Sequence, residues 1–382
     1  MLRIINTVLM GIFILLWGSL AFPQSVELHG QLSGWMTAHP DNSFDLSMGL
    51  RYIPTFSAEK KIFGAYLLDS EISVNAYGTG LVDPFTHMET HSKIKPYRVW
   101  LRFSSTQFEV RLGLQKINFG SATLLRPLMW FDRVDPRDPL GLTDGVYGLL
   151  GRYYFLNNAN VWLWGLYGND EVRGWEVLPP HKHEIEYGGR LQVPLYNGEI
   201  AATYHHRRAD ILDRTSQGFL SSKNSIPENR FALDGKWDLG VGLWFEGVLI
   251  HQDVHALQLR YRRLVNIGFD YTFDLGNGLN LIVEYFRYEN SDRPFGSGDG
   301  ISFSASALNY PVGLMDNLTA LLYYDWENHE WYRHVNWERK YDNWSLYFIG
   351  FWNPDQLRID QGGQGNELHV GKGLQMMIVL NH

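Results

Sequence analysis

The chain has 382 residues, of which 45% are hydrophobic, 15% aromatic and 19% charged. That apolar content excludes disorder, and so little charge is unlike a typical soluble α/β enzyme. With no cysteine there can be no disulfide, thiolate metal site or cysteine nucleophile, and a net charge of −8 without any basic run argues against a nucleic-acid partner.

Residues 1–21 read as a cleaved export signal. Met1-Leu2-Arg3 gives a short positive start, Ile4 to Leu20 is almost wholly apolar, and Ser19-Leu20-Ala21 fits the small-x-small cleavage rule. A single membrane anchor helix is the alternative, since the stretch is just long enough to span. The cleavage triplet favours the signal. Beyond Ala21 no apolar run approaches the ~18 residues of a membrane helix, and the mean hydropathy is −0.23. The rest of the chain is therefore soluble or meets lipid through alternating strands.

Strand-type alternation runs nearly from end to end. Val26, Leu28, Leu32 and Met36 share one parity against Glu27, His29, Gln31 and Ser33. The same pattern returns from Phe44 to Tyr52, from Phe108 to Gln115 and from Glu184 to Leu195. Three features favour a membrane barrel over a soluble sandwich. Segments run about ten residues or more, where sandwich strands average five or six. Aromatics such as Tyr52, Tyr153, Phe155, Tyr271, Tyr285, Trp326, Trp331 and Trp352 fall at segment ends on the apolar parity, where an interfacial girdle belongs. Tight turns at 104–106, 157–158, 196–198, 239–240, 275–278 and 341–343 alternate with polar connections near 76–92, 119–144, 169–182, 208–228, 288–300 and 353–365. Short periplasmic turns and long external loops alternate in this way.

The expectation is an all-β fold: one transmembrane antiparallel β-barrel over 22–382, with about 18 strands (16 as the alternative) and both termini on the short-turn side. The final alternating segment, Leu374 to Leu380, resembles the last strand of outer-membrane proteins generally. That likeness implies recognition by the barrel assembly machinery, although His382 stands where Phe or Trp is usual.

The most individual stretch is Arg111 to Gly145. Arg111, Gly113, Gln115, Phe119 and Gly120 form an R-x-G-x-Q-x-x-x-[WF]-G pattern that runs into an Asp-Pro-rich connection. This pattern resembles the porin-like families of Gram-negative outer membranes, of the alginate-export and phosphate-selective type. The resemblance covers about a tenth of the chain, and it implies a porin-like channel in the cell outer membrane.

The 119–144 connection is long for a barrel loop, and Leu124, Leu125, Leu128, Met129, Trp130 and Phe131 make it too apolar to stand in water. It is expected to fold into the lumen, where Arg126, Asp132, Arg133, Asp135, Arg137 and Asp138 would narrow the pore and set its field. A self-packed external flap is the alternative. Facing it on lumen parity are Arg98, Arg102, Arg111, Gln115, Arg152 and Arg190, with Arg207, Arg230, Arg260 and Arg262 beyond. These could select anions, or could pair with Asp69, Glu71, Glu109, Glu184, Glu186, Asp234, Glu246 and Glu284 to stiffen the wall.

His205 and His206 point to opposite faces of a strand and cannot share an ion, and His181 with His183 lacks a third ligand. No metal or cofactor is expected. No G-x-S-x-G or other nucleophile context appears, so no enzyme is expected. The expected function is passive diffusion of small polar, possibly anionic, solutes through an outer-membrane channel, with membrane lipid as surroundings and an oligomer open. One alternative is a specific channel for an anionic saccharide or organic acid, with Trp100, Trp162, Trp164 and Trp244 stacking on sugar rings. The other is a non-conducting adhesion or assembly barrel.

Overall fold

The structure, a computed structural model, describes residues 25–40, 45–62, 64–82, 88–210, 225–252, 260–354 and 369–382. The expected signal at 1–21 lies outside the described residues. The first strands are β1 (Ser25–His39), β2 (Asp45–Ile62), β3 (Tyr66–Val82), β4 (Met88–Ser104), β5 (Phe108–Gln115) and β6 (Val146–Tyr154). Then come β7 (Asn160–Leu166), β8 (Glu186–Leu195), β9 (Gly198–Asp210), β10 (Ser225–Asp238), β11 (Gly242–Gln252) and β12 (Tyr261–Phe273). The last are β13 (Leu279–Ser291), β14 (Gly300–Pro311), β15 (Asp316–Asp325), β16 (Glu330–Lys340), β17 (Trp344–Trp352) and β18 (Lys372–Asn381).

Each strand pairs antiparallel with the next, and β18 returns to β1 from Gln31↔Asn381 to Ala38↔Leu374. The result is a closed 18-stranded barrel, the strand number expected from the turn rhythm. Closure removes every free edge, the condition a sheet must meet in hydrocarbon. The seam ends in a reciprocal backbone pair, Gly30 N to His382 O at 2.8 Å and His382 N to Gly30 O at 3.0 Å.

The alternation sorts the two faces as elementary partition predicts. Leu28, Leu50, Leu163, Val265, Ile267 and Ile378 are exposed on the outer wall, while their neighbours Leu264, Asn266 and Val379 are buried inward. Aromatics at the strand ends, among them Tyr153, Phe155, Tyr271, Tyr285, Trp326 and Trp331, are exposed outward.

Two sequence readings change. The polar stretch 76–92 is mostly strand, because β3 and β4 stay paired up to Val82↔Met88. β2, β3 and β4 run 18, 17 and 17 residues, well beyond the ~9–11 that a bilayer crossing needs. The connection read at 208–228 is shorter, because β9 runs to Asp210 and β10 begins at Ser225.

A bulge between β3 and β4 breaks the register at Ser73/Val74 and leaves Tyr97 opposite no partner. It accommodates Pro96, which has no N–H for the ladder. It also shifts parity, so that Lys95 and Arg98, three positions apart, both reach inward to the same loop.

Candidate functional site: a loop folded into the barrel

The connection from Lys116 to Gly145 lies inside the barrel. Two wall glutamates hold its first half. Glu246 of β11 accepts the amides of Ser121 at 2.5 Å, Ala122 at 2.7 Å and Leu128 at 3.2 Å. Glu284 of β13 accepts those of Thr123 at 2.6 Å, Leu124 at 3.1 Å and Leu125 at 2.7 Å. Between them Asn266 of β12 donates to Leu125 O at 2.8 Å and to Glu284 at 3.0 Å. A loop has no ladder of its own, so its buried amides need such acceptors. Gly120 makes the approach possible: its φ is +100°, and a Cβ there would meet Glu246 Oε1 at 2.4 Å.

The apolar side chains supply the rest of the hold. Ile117, Phe119, Leu124, Leu125, Leu128, Trp130 and Phe131 are buried against Trp164, Leu166, Val248, Ile250, Leu264 and Phe286 of the wall. Each is worth about 1.5–3 kcal/mol over an exposed position. The loop then crosses to the other wall. Leu140 packs on the cluster of Trp35, Tyr347, Ile349, Phe351, Met377 and Val379. On the return, Thr143 O accepts from Arg98 at 2.9 Å and Asp144 pairs with Lys95 at 2.6 Å.

The connection between β7 and β8 clamps the first loop. Trp175 donates to Arg126 O at 3.0 Å and stacks on Phe286, ring centroids 4.4 Å apart. Glu176 reaches Arg207 at 3.1 Å and Arg230 at 2.7 Å. Those arginines share Glu228 with Arg262 in a wholly buried cluster. Buried arginines persist only when paired in this way.

The sequence-predicted residues therefore divide into two sets. Arg126 pairs with Asp132 at 3.0 Å and Arg137 with Asp135 at 2.8 Å, all four buried within the loop. Burial pushes the Asp132 carboxyl up despite Arg126. Burial acts the same way on Asp135, but its bidentate contact with Arg137 leaves that carboxyl below the ordinary value. Asp138 accepts the amides of Leu140 and Leu142. Arg133 lies 3.8 Å from Glu171. Arg190 lies beneath Phe119 and forms a bidentate pair with Asp234 at 2.6 and 2.7 Å. Gln115 is buried and donates to Arg111 O and Gly148 O.

The second set faces the remaining lumen. Arg102, Arg111 and Arg152 keep 28%, 15% and 16% of their side-chain surface, against 3% for Arg190. Arg102 grips Asp69 with two bonds, and all three reach Glu109, at 3.6, 3.9 and 2.9 Å. Arg111 lies over Trp100 at 4.8 Å and Arg152 over Trp162 at 3.7 Å. Cross-strand pairing sets this row: Arg102↔Arg111, Glu109↔Arg152 and Arg152↔Trp162 are direct partners.

Trp164 and Trp244, expected to stack on solute, are buried instead. Their indoles lie over Gly188 and Gly268 of the neighbouring strands, and Trp164 is covered by Phe119 and Phe131 of the inner loop. Glu184, expected inward, sits before β8 and lies 3.9 Å from Arg208. His205 is buried inward, 3.3 Å from Glu186, with Trp164 donating to its Nδ1 at 3.2 Å. Among the described residues no group of three or more metal-ligating side chains is brought together. The docking roles of Glu246, Glu284 and Asn266 were not read from the sequence. The available signal was an acid set among apolar neighbours on each of two inner faces, Glu246 between Trp244 and Val248 on β11 and Glu284 between Ile282 and Phe286 on β13.

No protein-family model and no curated protein matches the chain. Solved structures do. The barrel is similar to OccK5 (OpdH) of Pseudomonas aeruginosa, with a TM-score of 0.57 and 11% identity over 94% of this chain and 98% of that one. It is also similar to OmpT, an outer membrane protein of Vibrio cholerae in trimer form (TM-score 0.51, 11% identity, 94% and 98% covered). Salmonella typhi OmpF in complex with daunomycin follows at 0.51, 10% identity, and 94% and 97% coverage. The chain has the fold of Gram-negative outer-membrane porins.

Proposed function

We propose that this chain is an outer-membrane channel for small polar solutes, narrowed by loop 116–145 and preferring anions. The docked loop carries the reading. Its apolar residues share a buried cluster with β6, β7 and β10–β16, and Leu140 packs on β1, β17 and β18, which leaves the wall of β2–β5 and the Arg152 end of β6 for an aqueous path. That wall turns Arg51, Lys95, Arg98, Arg102, Arg111 and Arg152 inward against Asp69, Glu71 and Glu109. The loop's Asp144 pairs with Lys95 and its Asp138 lies by Arg51, while Arg102, Arg111 and Arg152 have only Asp69 and Glu109 to share. Arg111 and Arg152 keep 15% and 16% of their side-chain surface, so their guanidinium forks remain within reach of a passing carboxylate or phosphate.

A path bounded on one side by dry packing suits a selective channel more than a wide diffusion pore. The expected kinship with alginate-export or phosphate-selective porins belongs to this reading, as do export through a signal peptide and any oligomer. The non-conducting alternative has its own support in the apolar packing on both walls. Single-channel recording in planar bilayers under a KCl gradient tests the proposal. Small, steady steps with a reversal potential on the anion side support it. A folded but silent protein favours the non-conducting barrel, and a cation-side potential removes the selectivity assignment.

A further inference from the structure

The outer wall carries charge where lipid would be expected. On β12 and β13, Val265, Ile267 and Tyr285 face outward, and Arg263, Arg287 and Glu289 share their parity at the long-loop end. An arginine on the lipid face costs about 2–4 kcal/mol at mid-bilayer and almost nothing at the headgroups. The neighbouring Tyr285, Trp326 and Trp331, all exposed, mark that headgroup level.

Arg263 and Arg287 share one carboxylate oxygen of Glu289, at 2.9 and 3.6 Å. Arg263 also donates to Gly296 O, and its Nε has no partner. Arg287 donates to Ser302 Oγ at 3.1 Å and keeps 45% of its side-chain surface. Arg333, three strands beyond β13 and on the outward parity of Trp331, lies 5.9 Å from the Trp331 ring and has no carboxylate partner among the described residues. Glu327 accepts the Ser302 amide at 2.7 Å, and Asp292 and Asp299 lie in the connection after β13 without an ion pair to these arginines. Within the cluster itself two guanidiniums share the single carboxylate of Glu289.

We propose that Arg263 and Arg287 bind a phosphate group of an outer-leaflet lipid headgroup. Guanidinium forks match phosphate geometry, and a shared carboxylate leaves donors for it. Basic residues at a membrane surface contribute about 1 kcal/mol each toward anionic lipid. The inference rests on the outer-membrane reading but not on conduction.

Native mass spectrometry of the detergent-solubilised full chain tests it, with diphosphoryl lipid A and its dephosphorylated counterpart as probes. The wild type is expected to retain the phosphorylated lipid preferentially. Arg263→Ala/Arg287→Ala should weaken retention about fivefold for each guanidinium removed. Glu289→Gln, which removes the competing carboxylate, should strengthen it, and it decides the matter should the double variant fail to fold. Equal retention of the two lipids, or no change in either variant, overturns the proposal. Displacement by equimolar inorganic phosphate assigns the site to free phosphate and overturns the lipid assignment. Unchanged bilayer conductance in both variants is expected, so failure here is separable from failure of the channel reading.

Discussion

Glu284 accepts the amide of Leu125 at 2.7 Å across 159 positions of sequence. With Glu246 it turns a flexible connection into part of the barrel interior. Replacing Glu284 by Leu should orphan the amides of Thr123, Leu124 and Leu125, at about 1–3 kcal/mol per buried group left unpaired. The expected outcome is a loop that undocks: conductance rises, and the 121–140 segment becomes protease-sensitive while the barrel keeps its heat-resistant gel mobility. Unaltered protease resistance would show that the apolar packing alone holds the loop.

Gly120 tests the same dock from the other side. A Cβ would fall 2.4 Å from Glu246 Oε1 on a backbone at φ +100°. Gly120→Ala should cost the docked state about 1–3 kcal/mol. It should raise conductance in the same direction as the Glu284 variant, though less. Gly141 is also at positive φ, +55°, but has nothing within 4 Å of a Cβ, so its alanine variant carries the backbone strain without the clash and should raise conductance less than Gly120→Ala.

Arg152 and Arg190 should separate by phenotype. Arg152 is accessible beside Glu109 and Trp162, so Arg152→Ala should leave stability nearly intact and move the reversal potential toward zero. Arg190→Ala leaves Asp234 buried and unpaired, a loss of about 3–5 kcal/mol. It should reveal itself as a lower melting temperature. Equal effects of both variants on selectivity would contradict the division into buried and accessible arginines.

Acid should loosen the loop through Asp135. Its carboxyl lies below the ordinary value because of Arg137, so its contribution is fully present above about pH 3.9. That contribution is lost as pH falls through the depressed folded value. Open-channel noise is expected to rise below about pH 4 in the wild type, and to be pH-independent there in Asp135→Asn. An acid response that survives in Asp135→Asn assigns it elsewhere.

The barrel was legible because period-two alternation, strand length and turn order all report on one constraint, the satisfaction of every backbone group in lipid. Val265, Ile267 and Tyr285 follow that rule outward without regard to their neighbours. The stretch 76–92 misled because β3 and β4 stay paired as far as Val82↔Met88, and polar residues pair in strands as readily as apolar ones where no apolar face is required. The lumen was harder. Residue types alone expose neither that Trp164 lies over Gly188 nor that Arg190 is sealed by Asp234, since both depend on partners more than 20 positions away. Lys95 and Arg98 came to one face through a bulge that parity counting cannot foresee.

The central claim is that a conducting lumen is restricted by loop 116–145 held on Glu246 and Glu284. Its most direct test is the single-channel conductance of the wild type beside a deletion of 121–140, in matched bilayers and salt. The account predicts small steps for the wild type and severalfold larger ones, with weaker ion preference, for the deletion. Equal conductance in the two, or silence in both with the barrel folded, would contradict it.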